Sequence, residues 1–209
     1  KGIIAGADVK IDRDQAGSPP DEAGLRARLR RAECVALGET GLDYHYHGPE
    51  ERKAQRDLFE RMLTIAAEEH KPVVVHSREA DDDTLTALRA FAARPGTPSP
   101  PGVLHCFTGG ASFAEALVEI GFFISFSGIL TFRNADALRA TARAIPAERL
   151  LIETDTPYLA PVPHRGKRNE PAHVIRVAEA LAEQRGGRVE DIAAQTTRNA
   201  EHLFGLQGG

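Results

Sequence analysis

Four short apolar runs in this chain each stop at a side chain that can bind a metal ion or move a proton. Cys34-Val35-Ala36-Leu37-Gly38 stops at Glu39, Val73-Val74-Val75 at His76 and Val103-Leu104 at His105, while Leu150-Leu151-Ile152 runs into Glu153-Thr154-Asp155. A buried strand of a parallel sheet reads as a near-continuous apolar run, and its C-terminal end is where such sheets place their ligands. Glu39, His76, His105 and Asp155 make a mixed oxygen and nitrogen donor set. That set suits Zn²⁺ or Mn²⁺, with Mg²⁺ less favoured by the imidazoles. A carboxylate can also bridge two ions about 3.5–4 Å apart, the arrangement that clamps a phosphoryl group. An ion so held lowers the pKa of a water towards about 7, and Asp155 or Glu153 could take or return the proton. One histidine at one strand end is commonly a hydrogen-bonded structural residue. Four candidates at four strand ends is a pattern that chance does not readily supply.

Other groups add to this set. Glu153 and Asp155 fall on the same face of an extended segment, so both are placed to reach a site; alternatively Glu153 supports a neighbour. His164-Arg165-Gly166-Lys167-Arg168-Asn169 is a basic loop beyond that segment, able to hold phosphates through charge-assisted hydrogen bonds. His45-Tyr46-His47 is a His-x-His, but it lies in a loop with no strand before it and reads as surface. Asp81, Asp82 and Asp83 suit the positive end of a helix, as a solvated helix start. No nucleophile elbow, phosphate-binding Gly-rich loop or dinucleotide fingerprint is present.

The elements that must position these groups alternate along the chain. A strand over Gly2–Ala7 is expected, then a loop over Gln15–Asp21. A helix capped by Asp21 follows, carrying Leu25 and Leu29. After the strand ending at Glu39 comes a loop over Thr40–Gly48. A long helix over Pro49–Glu69 is expected to bury Ala54, Leu58, Met62, Ile65 and Ala66. Pro72 precedes the strand ending at His76, and a helix over Ser77–Arg94 follows. The proline-rich loop Pro95–Gly102 leads to the His105 strand, then a helix from about Ser112. Next come a strand over Phe122–Phe126, a helix over Asn134–Ala144 and the strand ending at Asp155. A long loop, Thr156–Asn169, and two helices near Pro171–Gln184 and Val189–Phe204 complete the chain. Strict alternation predicts a parallel α/β sheet. Candidate residues on four strand ends favour a barrel, whose active site lies on that face; a doubly wound open sheet is the fallback. A closed barrel needs eight strands and six are visible, so the first one or two are expected to be missing.

The chain has 209 residues, 42% hydrophobic and 27% charged, with a formal net charge of −4, so there is no global basic field and any nucleic-acid contact must be local. That length fits a single domain over residues 1–209. The two cysteines, Cys34 and Cys106, sit in or beside apolar runs and read as small reduced residues rather than a disulfide. With no signal peptide and no apolar run near 18 residues, a cytoplasmic protein without membrane contact is expected. The first residue is Lys1, and the chain is expected to be trimmed or incomplete at its N-terminus.

Six segments carry a family resemblance. They are Gly38-Glu39-Thr40-Gly41-Leu42-Asp43-Tyr44, Val75-His76-Ser77-Arg78, His105-Cys106-Phe107-Thr108-Gly109, Ser127-Gly128-Ile129-Leu130-Thr131-Phe132, Glu153-Thr154-Asp155-Thr156-Pro157-Tyr158-Leu159 and Arg165-Gly166-Lys167-Arg168-Asn169-Glu170-Pro171. In this order they resemble the TatD family of metal-dependent hydrolases and deoxyribonucleases, from about Cys34 to Phe204. The resemblance implies a TIM-barrel-like fold of the metal-dependent hydrolase type. It also implies one or two divalent ions (Zn, Mn or Mg) and hydrolysis of DNA phosphodiesters, single-stranded or from a 3′ end, by a monomer. By the same resemblance Glu39 is the bridging metal ligand, and His76 and His105 are ligands of the second ion. Asp155 is a ligand of the first ion, beside the attacking water. Arg165, Lys167 and Asn169 lie where the family's substrate loop approaches phosphate. The family's opening Asp-x-His-x-His strand has no counterpart here, and Gly6-Ala7-Asp8-Val9-Lys10 stands in place of its Gly-x-His-Pro segment. Two alternatives stay open: an esterase acting on a substrate such as D-aminoacyl-tRNA, and a catalytically impaired member that binds metal or nucleic acid without turnover.

Overall fold

The computed structural model describes residues 3–5 and 21–206. The chain falls into two compact units, Lys1–Val103 with Leu203–Gly209, and Leu104–His202. Six strands alternate with helices among the described residues, as the sequence predicts. The expected strand over Gly2–Ala7 is described only as Ile3–Ala5; Gly6–Lys10 and most of the Gln15–Asp21 loop lie outside the described residues.

The first unit runs β1 (Ile3–Ala5), α1 (Glu22–Leu29), β2 (Cys34–Asp43), α2 (Pro49–Glu68), β3 (Val73–Arg78) and α3 (Asp81–Ala92). Its strands lie side by side in chain order, β1 parallel to β2 and β2 parallel to β3. Asp21 caps α1 as expected, its Oδ1 accepting from the Gly24 amide at 2.9 Å. Leu25 and Leu29 are buried by that helix. Pro49 opens α2 at a position where its missing N–H is no loss, and the Glu51 carboxylate accepts from the Gly48 amide at 2.9 Å.

Several expectations need correction here. Strand β2 does not stop at Glu39 but continues to Asp43, because Thr40, Gly41, Leu42 and Asp43 pair in register with Val75, His76, Ser77 and Arg78. Strand β3 likewise runs two residues beyond His76, so α3 starts at Asp81 rather than Ser77. The buried face of α2 is Gln55, Phe59, Met62, Leu63, Ile65, Ala66 and Ala67; Ala54 is exposed and Leu58 half-buried. Its first buried residue is the polar Gln55, which a hydrophobic pattern does not mark. Asp81, Asp82 and Asp83 occupy the first turn of α3, as expected of an acidic helix start, with Asp82 exposed. Asp83 accepts from the Tyr44 hydroxyl at 2.6 Å and Arg56 at 3.2 Å, and burial pushes the Asp81 carboxyl up.

β4 (Gly102–Leu104) carries the chain from the first unit to the second, which continues with α4 (Ala111–Glu119), β5 (Phe123–Phe126), α5 (Asp136–Ala144), β6 (Leu150–Ile152), α6 (Val174–Arg185) and α7 (Val189–Phe204). β5 pairs parallel with β6 through Ile124–Leu150, Ser125–Leu151 and Phe126–Ile152. Every residue of β5 is buried, the pattern of a strand covered on both faces. Phe107, Phe113 and Phe126 form an aromatic cluster, with ring centroids 5.8 and 6.1 Å from Phe107. The buried Asn199 of α7 donates to Ala147 O at 2.8 Å and Leu150 O at 2.7 Å, which fixes where β6 begins. Gly186 ends α6 with φ +64, and the Gly187 amide reaches back to Ala182 O at 3.0 Å. β6 itself ends at Ile152, three residues before Asp155, so Glu153 and Asp155 belong to the following loop rather than to an extended strand.

Both cysteines are free thiols, Cys34 buried and Cys106 half-buried with its sulfur 3.1 Å from Ser127 Oγ. Among the described residues no helix is long and apolar enough to cross a membrane.

Candidate metal centre and substrate loop

The first unit builds its candidate ligands on the paired ends of β2 and β3. The register of β2 against β3 is irregular between Leu37 and Thr40 and regular from Thr40 to Asp43. Gly41 is the register partner of His76 on β3. With no side chain at Gly41, the His76 ring is bracketed by the carboxylates on either side of it. His76 Nδ1 lies 3.3 Å from Glu39 Oε1, and His76 Nε2 lies 3.4 Å from Asp43 Oδ2. Asp43 did not figure among the sequence-derived candidates. A spacing of four along a strand carries no signal until the strand is known to continue past Glu39.

The second unit holds the other group. His105 directly follows β4, and its Nδ1 is 3.2 Å from Glu153 Oε1. His105, Glu153 and Asp155 each offer a ligand atom, all within 4.8 Å of one another. His105 Nε2 is buried. Asp155 has φ +57, a left-handed conformation that aspartate tolerates better than most residues. One left-handed residue just past a strand end turns the backbone out of the strand direction. That turn, rather than strand pleat, is what brings Asp155 beside Glu153. Imidazole nitrogen and carboxylate oxygen, gathered at this spacing, form a donor set that fits a divalent first-row ion.

The loop from Thr156 to Asn169 divides into an exposed part and an anchor. Arg165 and Lys167 are exposed, and the Arg165 guanidinium lies 3.7 Å over the Phe132 ring. Asn169 is wholly buried. Its Nδ2 donates to Thr154 O and Tyr158 O, both at 2.6 Å, and its Oδ1 accepts from the Glu170 amide at 2.9 Å and faces His173 Nδ1 at 3.0 Å. Its amide is bonded inside the loop, tying both flanks of Asp155. Asn169→Ala is expected to cost about 2 kcal/mol, because the truncation strands buried polar groups on both sides. Urea unfolding of the variant checks this, and a stability within about 0.5 kcal/mol of the parent would refute the anchoring role.

His45 pairs with the Glu79 carboxylate, and His47 Nδ1 sits 3.6 Å from Glu51 Oε2. Neither belongs to a potential metal-binding group among the described residues. At the exposed end of the same loop, Tyr46 lies beneath the Arg78 guanidinium, 5.5 Å from its ring centroid.

Comparison with known proteins follows the same lines. A family model described as TatD related DNase matches residues 12–205. "Uncharacterized metal-dependent hydrolase YcfH" of Escherichia coli (strain K12) is 50% identical over 186 residues, covering 89% of this chain and 68% of that protein. "3'-5' ssDNA/RNA exonuclease TatD" of Klebsiella pneumoniae (strain 342) is 37% identical over 196 residues, 90% of this chain and 72% of that protein. Among solved structures, YjjV, a TatD homologue from Escherichia coli K12, superposes with a TM-score of 0.86 at 28% identity, covering 99% of this chain and 77% of that one. The α/β fold with parallel strands is thus of the TIM-barrel-like TatD type.

Proposed function

The chain belongs to the TatD family of metal-dependent hydrolases, and from that premise we propose that it cleaves phosphodiester bonds of DNA from a 3′ end. The observation that carries the proposal is the convergence of His105, Glu153 and Asp155 beside a loop bearing exposed Arg165 and Lys167. Glu39, His76, His105 and Asp155 are the proposed ligands of one or two divalent ions. An ion held by such a set supplies Lewis-acid polarisation of a phosphoryl oxygen and an acidified water.

The chain's own residues do the rest. Glu153 accepts from His105 Nδ1–H, which fixes the ring in the tautomer that presents Nε2 for coordination. Asp155 brings a carboxylate oxygen to the same point and can take the proton of an attacking water. Arg165 and Lys167 hold the phosphates flanking the scissile bond.

The experiment is turnover of 3′-labelled single-stranded DNA with added Mn²⁺, run beside D-aminoacyl-tRNA. Stepwise release of 3′ nucleotides, abolished by chelator, is expected. Turnover of the acylated tRNA alone would replace the nuclease reading with an esterase. Stoichiometric metal without turnover of either would make the chain a binding protein. Arg165→Ala with Lys167→Ala is expected to raise KM for DNA about tenfold and to flatten its salt dependence.

A further inference from the structure

The carboxylate of Asp43 lies 3.4 Å from His76 Nε2, on the side of the ring away from Glu39. It is held there by several independent bonds. Asp43 Oδ1 accepts from the His45 amide at 3.0 Å. Gln55 of α2 grips the Asp43 backbone at both ends of its peptide groups: its Oε1 accepts from the Asp43 amide at 2.8 Å, and its Nε2 donates to the Asp43 carbonyl at 2.8 Å. Gln55 is 2% exposed. A glutamine at that depth must have its polar atoms satisfied, and here both are given to a single residue of β2. The core of the first unit thus carries a polar clamp whose consequence is to fix Asp43.

We propose that Asp43 is a positioning residue for His76: it accepts from Nε2–H, sets the tautomer, and turns Nδ1 towards the Glu39 side for coordination. The inference rests on the reading of His76 as a metal ligand. Histidines that bind metals commonly donate their other N–H to a carboxylate or carbonyl, which fixes ring orientation and raises ligand basicity. The pair mirrors Glu153 and His105 of the second unit with the nitrogens exchanged, since there Nδ1 faces the carboxylate. The two histidines would therefore present different nitrogens, Nδ1 from His76 and Nε2 from His105. Gln55 has no direct part in coordination; its role is to make the position of Asp43 independent of whether an ion is bound.

The test compares Asp43→Asn, Asp43→Ala and His76→Ala in the full chain. Mn²⁺ affinity and stoichiometry are measured on metal-stripped protein, with the imidazole tautomers read by nitrogen NMR and folding checked by thermal unfolding. His76→Ala is expected to lower the number of ions bound. Asp43→Ala is expected to weaken Mn²⁺ binding about 10–100-fold, with His76 losing its preference for the Nε2–H tautomer. Asp43→Asn keeps the size and the fold, and is expected to fall between the parent and Asp43→Ala. If Asp43→Asn and Asp43→Ala are folded, bind Mn²⁺ like the parent and keep the parent's tautomer while His76→Ala loses an ion, the positioning role is wrong. If His76→Ala itself binds as the parent does, the ligand reading of His76 fails and the inference falls with it.

Discussion

His105→Ala and Asp155→Asn are each expected to lower metal-dependent hydrolysis by three orders of magnitude or more, about 4 kcal/mol of transition-state stabilisation. The two variants fail in different ways. His105→Ala removes a nitrogen donor and leaves Glu153 without the imidazole 3.2 Å away. Asp155→Asn keeps the shape of the side chain and, because asparagine also tolerates φ near +57, keeps the backbone turn beyond β6. It removes only the charge and the capacity to take a proton. Thermal unfolding of Asp155→Asn should therefore stay near the parent's while turnover collapses. Residual activity at the parent's level in either variant would remove that side chain from the proposed chemistry. Loss of activity with an equal loss of folded protein in Asp155→Asn would mean that the carboxylate serves the loop and not the reaction.

The parts legible in the sequence were those written in apolar runs. The six strands follow from short Val/Leu/Ile segments that stop at polar residues, and so does the placement of His105 and Asp155 beyond a strand end; Glu39 and His76 lie inside strands that run on past them. What could not be read were features that depend on a neighbour in space. β2 extends past Glu39 because β3 lies beside it, and nothing in Thr40-Gly41-Leu42-Asp43 alone announces pairing. Asp43 becomes a candidate only once that extension places it by His76. Gln55 interrupts the apolar pattern of α2 because its amide clamps Asp43, so the helix face was placed around Ala54 and Leu58 instead. Asn169, which the resemblance placed in the loop approaching phosphate, is buried and bonded to that loop's own backbone, a tie no spacing announces. For Gln55 and Asn169 a buried polar group satisfied by the backbone replaced the answer that composition favours.

Gly41→Ala is expected to be the most damaging change of a single methyl group in the first unit. A Cβ at this position would lie 1.9 Å from the His76 carbonyl oxygen and 2.9 Å from the His76 carbonyl carbon and nitrogen. Those are backbone atoms of the paired strand, so no side-chain rotation relieves the clash. The φ of +144 adds a second cost, because an L-residue rarely adopts it. The conformational term alone is about 1–3 kcal/mol, and parting β2 from β3 would forfeit ladder hydrogen bonds at about 1 kcal/mol each. A total of about 4 kcal/mol is a large share of the roughly 5–15 kcal/mol that holds a domain folded. Gly187→Ala is the control, since a Cβ there meets nothing within 4 Å. Urea unfolding should separate the two variants by several kcal/mol, about 4 against about 0.5. The same displacement would carry His76 away from Glu39 and Asp43, so any folded Gly41→Ala protein should also bind Mn²⁺ more weakly than Gly187→Ala. Equal stability of the two variants would mean that β2 and β3 can separate at Gly41 without cost, and the bracketing of His76 by its two carboxylates would then not be fixed by strand register.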